Sequence, residues 1–224
     1  MSALKLRTQL EQGAQQLNLG LGAVQIDTLM AFLDLLQKWN KVYNLTAVRD
    51  PQEMLTHHLL DSLAAVPALR RHVDSLGKQP GERVAQLDVG SGGGLPGVVF
   101  ALCCPEVDVH CVDTVAKKAA FLQQAAVSLK LPNLKGIHAR VESLAGPYDI
   151  VSCRAFASLV DFSTWSRAAI APQGTWLAMK GKRPDEEMAA LGKDVAVFHV
   201  EPLQVPGLDA ERCIVWMKPV SKTN

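Results

Sequence analysis

The chain has 224 residues, a formal net charge of +1 and a composition that is 48% hydrophobic and 20% charged. These values are typical of a globular protein, and they argue against a partner held by bulk charge alone. The five cysteines are odd in number and lack Cys-x-x-Cys spacing, and no apolar signal segment or membrane span is present, so we expect a cytoplasmic protein without disulfides, zinc or a membrane partner.

The sequence pattern of the first third of the chain predicts helices and no strands. Apolar residues recur there at helical spacing, and Asp50-Pro51-Gln52-Glu53 has the order of residues that begins a helix. Pro67 is expected to interrupt the helix that begins there. We therefore assign residues 1–80 to an N-terminal helical cap packed on the core of the molecule. The predicted helices span about 2–17, Ala23–Tyr43 and Asp50–Ala65.

From residue 81 onward, short apolar runs alternate with helical stretches, which is typical of βαβ units and a parallel, doubly wound sheet. Two strand-like runs end the chain with no room for a helix between them, so they must pair antiparallel. This order predicts an α/β core of the Rossmann-like, class I methyltransferase type over residues 81–224. The predicted strands are Val84–Val89, Val107–Val112, Leu134–His138, Asp149–Cys153, Thr175–Met179, Val195–Glu201 and Arg212–Lys218. The predicted helices are Gly97–Leu102, Ala116–Leu129, Ser158–Ile170 and Asp185–Leu191.

A glycine-rich loop, Gly90–Gly97, follows the first predicted strand and precedes a helix. This geometry brings backbone amides against a nucleotide-like ligand. The spacing of Gly92, Gly94 and Gly97 matches G-x-G-x-x-G, so a dinucleotide site and an NAD(P)-dependent oxidoreductase remain an alternative.

Two acids decide between the ligands. Asp88 lies near the end of the first predicted strand, close beneath the loop, where it would repel a pyrophosphate and attract the sulfonium and ammonium groups of S-adenosyl-L-methionine (SAM). Asp113, at the end of the next strand, has two oxygens that can accept hydrogen bonds from both ribose hydroxyls. The alternative role for Asp113 is to cap the helix that follows it. We therefore favour SAM as the cofactor.

Several segments carry a family resemblance. They include Trp39-Asn40-Lys41-Val42-Tyr43-Asn44-Leu45, His58-Leu59-Leu60-Asp61-Ser62, Leu95-Pro96-Gly97 after the glycines, and Arg154-Ala155-Phe156-Ala157. With these segments the chain resembles, over nearly its whole length, the bacterial 16S rRNA (guanine-N7) methyltransferase family RsmG, also called GidB.

The resemblance implies a substrate and a set of site residues. The substrate would be 16S rRNA, as naked RNA, in a 30S subunit or in an assembly intermediate, with no obligate protein partner. Guanine N7 has a free lone pair and no proton, so in-line methyl transfer needs no catalytic acid or base. Arg154 and Lys180, near strand ends, are candidates for positioning the substrate. The resemblance assigns Gly90, Leu95, Val141, Glu142 and Arg154 to cofactor binding, and the loop and strand-end patterns described above add Gly92 and Asp113.

Several further residues could have either a functional or a structural role. Cys153 stands where the family usually has serine, and we interpret it as a core substitution rather than a nucleophile. His58 and Asp61 are interpreted as a polar network bracing the cap rather than a ligand pair. Trp39 and Tyr43 are interpreted as core rather than as stacking platforms. A non-catalytic RNA-binding protein of this fold also remains possible. Lys182 and Arg183 are further candidates for RNA contact, and Lys38, Lys41 and Arg49 are candidates for phosphate contact.

Overall fold

The computed structural model describes residues 2–220 and is built on a seven-stranded sheet. Its strands are β1 (Val84–Val89), β2 (Val107–Asp113), β3 (Leu134–His138), β4 (Tyr148–Arg154), β5 (Ile170–Lys180), β6 (Val195–Leu203) and β7 (Arg212–Pro219). The order is β3-β2-β1-β4-β5-β7-β6. The first five strands run parallel, and β7 is antiparallel to both β5 and β6. The predicted sheet with its antiparallel hairpin is therefore confirmed. Residues 1 and 221–224, at the ends of the predicted domain ranges, lie outside the described residues.

Helices cover both faces of this sheet. They are α1 (Ala3–Gln16), α2 (Ala23–Tyr43), α3 (Pro51–Met54), α4 (Asp61–Ala64), α5 (Val66–Ser75), α6 (Gly97–Cys103), α7 (Ala116–Ser128), α8 (Leu159–Trp165) and α9 (Asp185–Ala189). A π-helical segment, Leu55–Leu60, joins α3 to α4, and a 3₁₀ turn, Val141–Ser143, stands between β3 and β4. Within residues 2–220, no helix combines the length and apolar character that crossing a membrane requires.

Two proline positions account for the main differences from the predicted elements. The helix predicted to end near Ala65 does end there, at Ala64, but a further helix that was not predicted, α5, follows directly and has Pro67 in its first turn, where its fixed φ suits a helix start. The helix predicted over Ser158–Ile170 ends at Trp165, and β5 begins at Ile170 rather than at Thr175. Pro172 disfavours helical backbone at the residue before it, so this part of the chain runs extended against β4.

The N-terminal helices share one hydrophobic core with one face of the sheet. That core includes Leu10 and Phe32 from the cap and Phe121 from α7, and the opposite face has a second core around Phe162 and Trp176. Trp39 packs edge-on against Phe121 with ring centroids 5.5 Å apart, as expected for a core residue. Tyr43 contacts Trp39 but is 39% exposed, so the core interpretation fits it less well.

The cap also reaches the glycine loop. A Cβ built on Gly93 would lie 3.0 Å from Leu36 Cδ1, and one built on Gly94 would lie 3.6 Å from Phe32 Cζ. The back of the loop therefore packs directly on α2, which leaves its front to face the carboxyl ends of the strands.

Candidate cofactor-binding site

Two glycines show why the loop has its sequence. Gly90 has φ +66°, and a Cβ built on it would lie 2.2 Å from Cδ2 of Phe156, so no side chain fits there. Gly97 begins α6, and a Cβ there would lie 2.3 Å from the Sγ of Cys111 and 3.0 Å from Oδ2 of Asp88. The absence of a side chain at Gly97 lets α6 approach β1 and β2 closely.

Asp88 is the fully buried acid beneath this loop. Its Oδ1 accepts a hydrogen bond from Ser152 Oγ at 2.8 Å, and its Oδ2 accepts one from the backbone N–H of Gly97 at 3.2 Å. Burial raises the pKa of Asp88 to about 6, although these hydrogen bonds oppose the change. Asp88 thus fastens the first turn of α6 to β1 and β4, and it does not line the cleft described below.

The raised pKa of Asp88 predicts a pH dependence of stability. The folded protein holds this proton more tightly than the unfolded chain, whose Asp pKa is 3.8. The stabilisation from this proton is therefore complete below pH 3.8 and is lost as the pH rises through about 6. Relative to Asp88→Asn, the wild-type free energy of unfolding should increase by about 1 kcal/mol between pH 7 and pH 5. Urea unfolding of both proteins at the two pH values measures this difference, and an unchanged difference would contradict it.

Asp113 lies at the front of the loop and is 7% exposed. Its Oδ2 accepts a hydrogen bond from the N–H of Gly92 at 3.0 Å, and its Oδ1 accepts one from the N–H of Val115 at 2.9 Å. The helix-capping role is therefore present, together with a tie to the loop. Each carboxylate oxygen has a further lone pair, so these bonds leave room for the ribose hydroxyls that the sequence predicts.

A cleft of about 700 Å³ opens at the carboxyl ends of β1, β2 and β4 and along the segment after β3. Of the residues predicted to hold the cofactor, four line this cleft: Gly90, Asp113, Val141 and Glu142. Glu142 forms an exposed ion pair with Arg140, at 2.9 Å. Gly92 and Leu95 do not line it, because the N–H of Gly92 faces Asp113 and Leu95 is buried in the core.

Sequence reasoning missed most of the cleft wall. Val89, Val112 and Val115 flank the two acids and could have been found from their positions at strand ends. Phe156 and Trp165 carry no comparable signal, since an aromatic residue in this context is more often part of a core. The further lining residues are Thr114, Lys118, Ala139, Arg140 and Ala155.

Arg154 is the last residue of β4, and its guanidinium forms hydrogen bonds with residues of the cap. Its Nη1 donates to Oδ2 of Asp61 and to the carbonyl oxygen of His57, both at 2.8 Å. Arg212 Nε donates to the other oxygen of the same carboxylate, also at 2.8 Å. The expected polar network between cap and sheet is confirmed. The two residues after Arg154, Ala155 and Phe156, line the cleft, so Arg154 is placed to hold this turn rather than to face the cofactor.

His58 completes the network as a neutral imidazole. Burial and the neighbouring Arg154 charge lower its pKa to about 4. Because the Arg154 guanidinium can only donate, the Nδ1 of His58, 3.4 Å from Arg154 Nη2, acts as the acceptor. The Nε2–H then donates to the Thr46 hydroxyl at 2.8 Å. His58 therefore braces the cap and is not arranged as a proton-transfer group.

Lys180, at the end of β5, is also engaged within the protein. Its Nζ donates to the carbonyl oxygen of Ala157 at 3.0 Å and to Glu187 at 2.8 Å, and its side chain is 16% exposed. Its predicted role in positioning the substrate stays a prediction. The other basic candidates, Lys38, Lys41, Arg49, Lys182 and Arg183, are all exposed.

Cys153 is 2% exposed, and burial raises the pKa of its thiol well above the ordinary value. A thiol held in this state is a poor nucleophile, which agrees with its interpretation as a core residue. Among the described residues, no three His, Cys, Asp or Glu side chains come together as a metal site.

The backbone of this chain is similar to those of solved methyltransferase structures. TrmN from Thermus thermophilus superimposes with a TM-score of 0.52 at 18% identity, over 74% of this chain and 53% of that one. A SAM dependent methyltransferase from Aquifex aeolicus superimposes with a TM-score of 0.50 at 14% identity, over 83% of this chain and 98% of that one. The fold is therefore the Rossmann-like fold of SAM-dependent methyltransferases.

Sequence comparison then defines the family. The GidB family model, described as rRNA small subunit methyltransferase G, matches residues 25–215. The ribosomal RNA small subunit methyltransferase G of Acidovorax sp. (strain JS42) is 72% identical over 216 residues, which is 95% of each chain. The chain belongs to the rRNA small subunit methyltransferase G family.

Proposed function

We propose that this protein transfers a methyl group from SAM to N7 of a guanine in 16S rRNA. Membership of the family supports small-subunit rRNA as the substrate. The observation that carries the choice of cofactor is the glycine loop itself, because its Gly92 N–H already donates to Asp113, which lines the cleft, and so is not free to hold a pyrophosphate.

The cleft fits SAM in size and chemistry. Its volume of about 700 Å³ is within the range of ligand pockets. Gly90 leaves backbone exposed at one end, Asp113 presents acceptors for the ribose, and Val141 and Glu142 would hold the adenine. Asp113 lies 3.9 Å from Lys118 and Glu142 pairs with Arg140, so acids and bases balance in the cleft wall, which has no excess positive charge to hold a pyrophosphate.

The loop's hydrogen bonds argue against the dinucleotide alternative. A pyrophosphate is held by free backbone N–H groups. Here the N–H of Gly92 donates to Asp113, and those of Gly94 and Leu95 donate to the carbonyl oxygen of Ser91, at 2.7 and 3.2 Å. Because these N–H groups are already hydrogen-bonded within the protein, the G-x-G-x-x-G spacing no longer supports an NAD(P)-dependent oxidoreductase.

Positioning accounts for the protein's part in the reaction. Bound SAM supplies an electrophilic methyl group on a sulfonium. Guanine N7 attacks with its own lone pair, so the protein needs no general base, and the neutral, hydrogen-bonded His58 agrees with this. Fixing two reactants in line is worth up to about 7–11 kcal/mol. Arg154 contributes by holding the Ala155–Phe156 turn, and its pairing with Asp61 offsets positive charge near a product guanine that is itself cationic.

Mapping the product tests the proposed function. Undermethylated 30S subunits and naked 16S rRNA are incubated separately with the protein and SAM carrying a labelled methyl group. We expect label on one guanine, at N7, detected by strand cleavage specific for 7-methylguanine. Label on another atom, or none on either RNA substrate, would overturn the proposal.

A further inference from the structure

A second cavity, of about 630 Å³, lies beside the ends of β5 and β7. Lys180, the last residue of β5, pairs with Cys213 near the start of the antiparallel β7, so the cavity opens at the same sheet edge as the cofactor cleft. Its lining includes the buried residues Leu203 and Cys213 and the partly buried Leu208. None of these residues belongs to the cofactor cleft.

The distance between the two cavities suits one strand of RNA. β1 and β7 are three positions apart in the sheet, which corresponds to about 14 Å at the usual spacing of strands. A short single-stranded segment with its target base over the cofactor cleft could therefore reach the second cavity with a nucleotide a few positions along the same strand. The two cavities are also linked through Asp61. Its carboxylate pairs with Arg212, which lines the second cavity, and with Arg154, which directly precedes the cleft-lining residues Ala155 and Phe156.

The polar rim of the cavity favours a base over a phosphate. Arg183 pairs with Asp185 and Arg212 with Asp61, so both guanidinium groups are already neutralised. The carboxylates of Asp209 and Glu211 also line the rim and would repel a phosphate. Gln204 adds an amide with donors and acceptors. A lining that combines apolar side chains with hydrogen-bond donors and acceptors matches a nucleobase, which has flat faces and a polar edge.

We propose that this second cavity binds a base of the substrate RNA that neighbours the methylated guanine. The inference rests on the proposed function and adds a subsite for sequence recognition to it. The cofactor is bound elsewhere, so the subsite should affect the use of RNA without affecting the affinity for the cofactor.

Filling the cavity tests the subsite. A Cβ on Gly181 meets no atom within 4 Å, and its φ is not in the left-handed region, so Gly181→Phe places a ring at the cavity without a backbone clash. We expect the KM for undermethylated 30S subunits to rise about tenfold, the effect of about 1.4 kcal/mol of lost binding. Arg183→Ala should raise it in the same direction, because Arg183 pairs with Asp185 through Nε and its Nη groups can still donate to the edge of a base. The Kd for S-adenosylhomocysteine, measured by calorimetry, should stay within about twofold of wild type.

Arg83→Ala is the matched control. Arg83 and Arg183 are both exposed, and each pairs through Nε with an aspartate at 2.7 Å, but Arg83 lies at the opposite edge of the sheet, before β1. Its KM for the RNA substrate should not change. An unchanged KM in both cavity variants, with active wild-type enzyme, would overturn the subsite and leave the proposed function standing. An inactive wild-type enzyme would instead overturn the proposed function.

A cross-link identifies the occupant directly. Gln204, exposed at the cavity rim, is replaced by p-benzoylphenylalanine, and the variant is irradiated on the 30S subunit. We expect the cross-link to fall on a nucleotide close in sequence to the methylated guanine. A cross-link to a ribosomal protein, to a distant nucleotide, or to nothing would overturn the proposal.

Discussion

Replacing Asp113 with alanine should abolish methyl transfer and weaken S-adenosylhomocysteine binding by at least 100-fold. The variant loses the proposed ribose acceptors, and charge-assisted hydrogen bonds are worth about 1.5–3 kcal/mol each. It also releases the N–H groups of Gly92 and Val115, which the carboxylate now holds in place. Calorimetry with S-adenosylhomocysteine measures the affinity, and labelled methyl transfer to 30S subunits measures the activity.

Asp149 provides a control for the structural part of this effect. Its carboxylate also accepts a backbone hydrogen bond, from Ala85 at 2.9 Å, and pairs with a lysine, Lys78, but it lies at the amino end of β4. Asp149→Ala should reduce stability while leaving cofactor affinity within about twofold of wild type. An Asp113→Ala protein that binds S-adenosylhomocysteine normally would exclude Asp113 from the cofactor site.

Replacing Asp61 with asparagine should lower the free energy of unfolding by about 3 kcal/mol. Its buried carboxylate neutralises both Arg154 and Arg212, and removing one partner of a buried pair costs about 3–5 kcal/mol. We expect the lower end of this range because the arginine side chains are 18% and 24% exposed. Urea unfolding at pH 7 measures the change.

The exposed pair between Arg83 and Asp108 is the comparison for Asp61. Asp108 is 41% exposed, and surface ion pairs contribute at most about 1 kcal/mol, so Asp108→Asn should have a small effect. A similar, small loss in both variants would show that the Asp61 network contributes no more than a surface pair.

The sheet could be predicted because, from residue 81 onward, short apolar runs typical of buried strands alternate with stretches that have the apolar stripe of a helix. The loop and Asp113 were found for a similar reason, since glycines and an acid at consecutive strand ends have few other uses. The predicted boundary between α8 and β5 was wrong. The helical pattern of the sequence continues past Trp165, but Pro172 and the pairing with β4 make the following residues extended.

Side-chain direction could not be predicted from position along the chain. Arg154 ends a strand beside the cleft, yet its guanidinium faces the cap because Asp61 and the His57 carbonyl lie there. Phe156 and Trp165 reach the cleft only through tertiary packing, in which their rings meet edge to face at 5.8 Å. Such contacts depend on where separate elements meet, and local sequence does not encode that.

The carboxylate of Asp61 also constrains when the protein can finish folding during its synthesis. Arg154 and Arg212 follow Asp61 by 93 and 151 residues, and Arg212 opens the last strand. While the chain is still being made, the N-terminal helices can form early, but their buried acid has to wait for both arginines. Closing such distant contacts is slow, and incomplete chains expose apolar surface. The network around Asp61 can therefore be completed only once Arg212, at the start of the last described strand, has been synthesised.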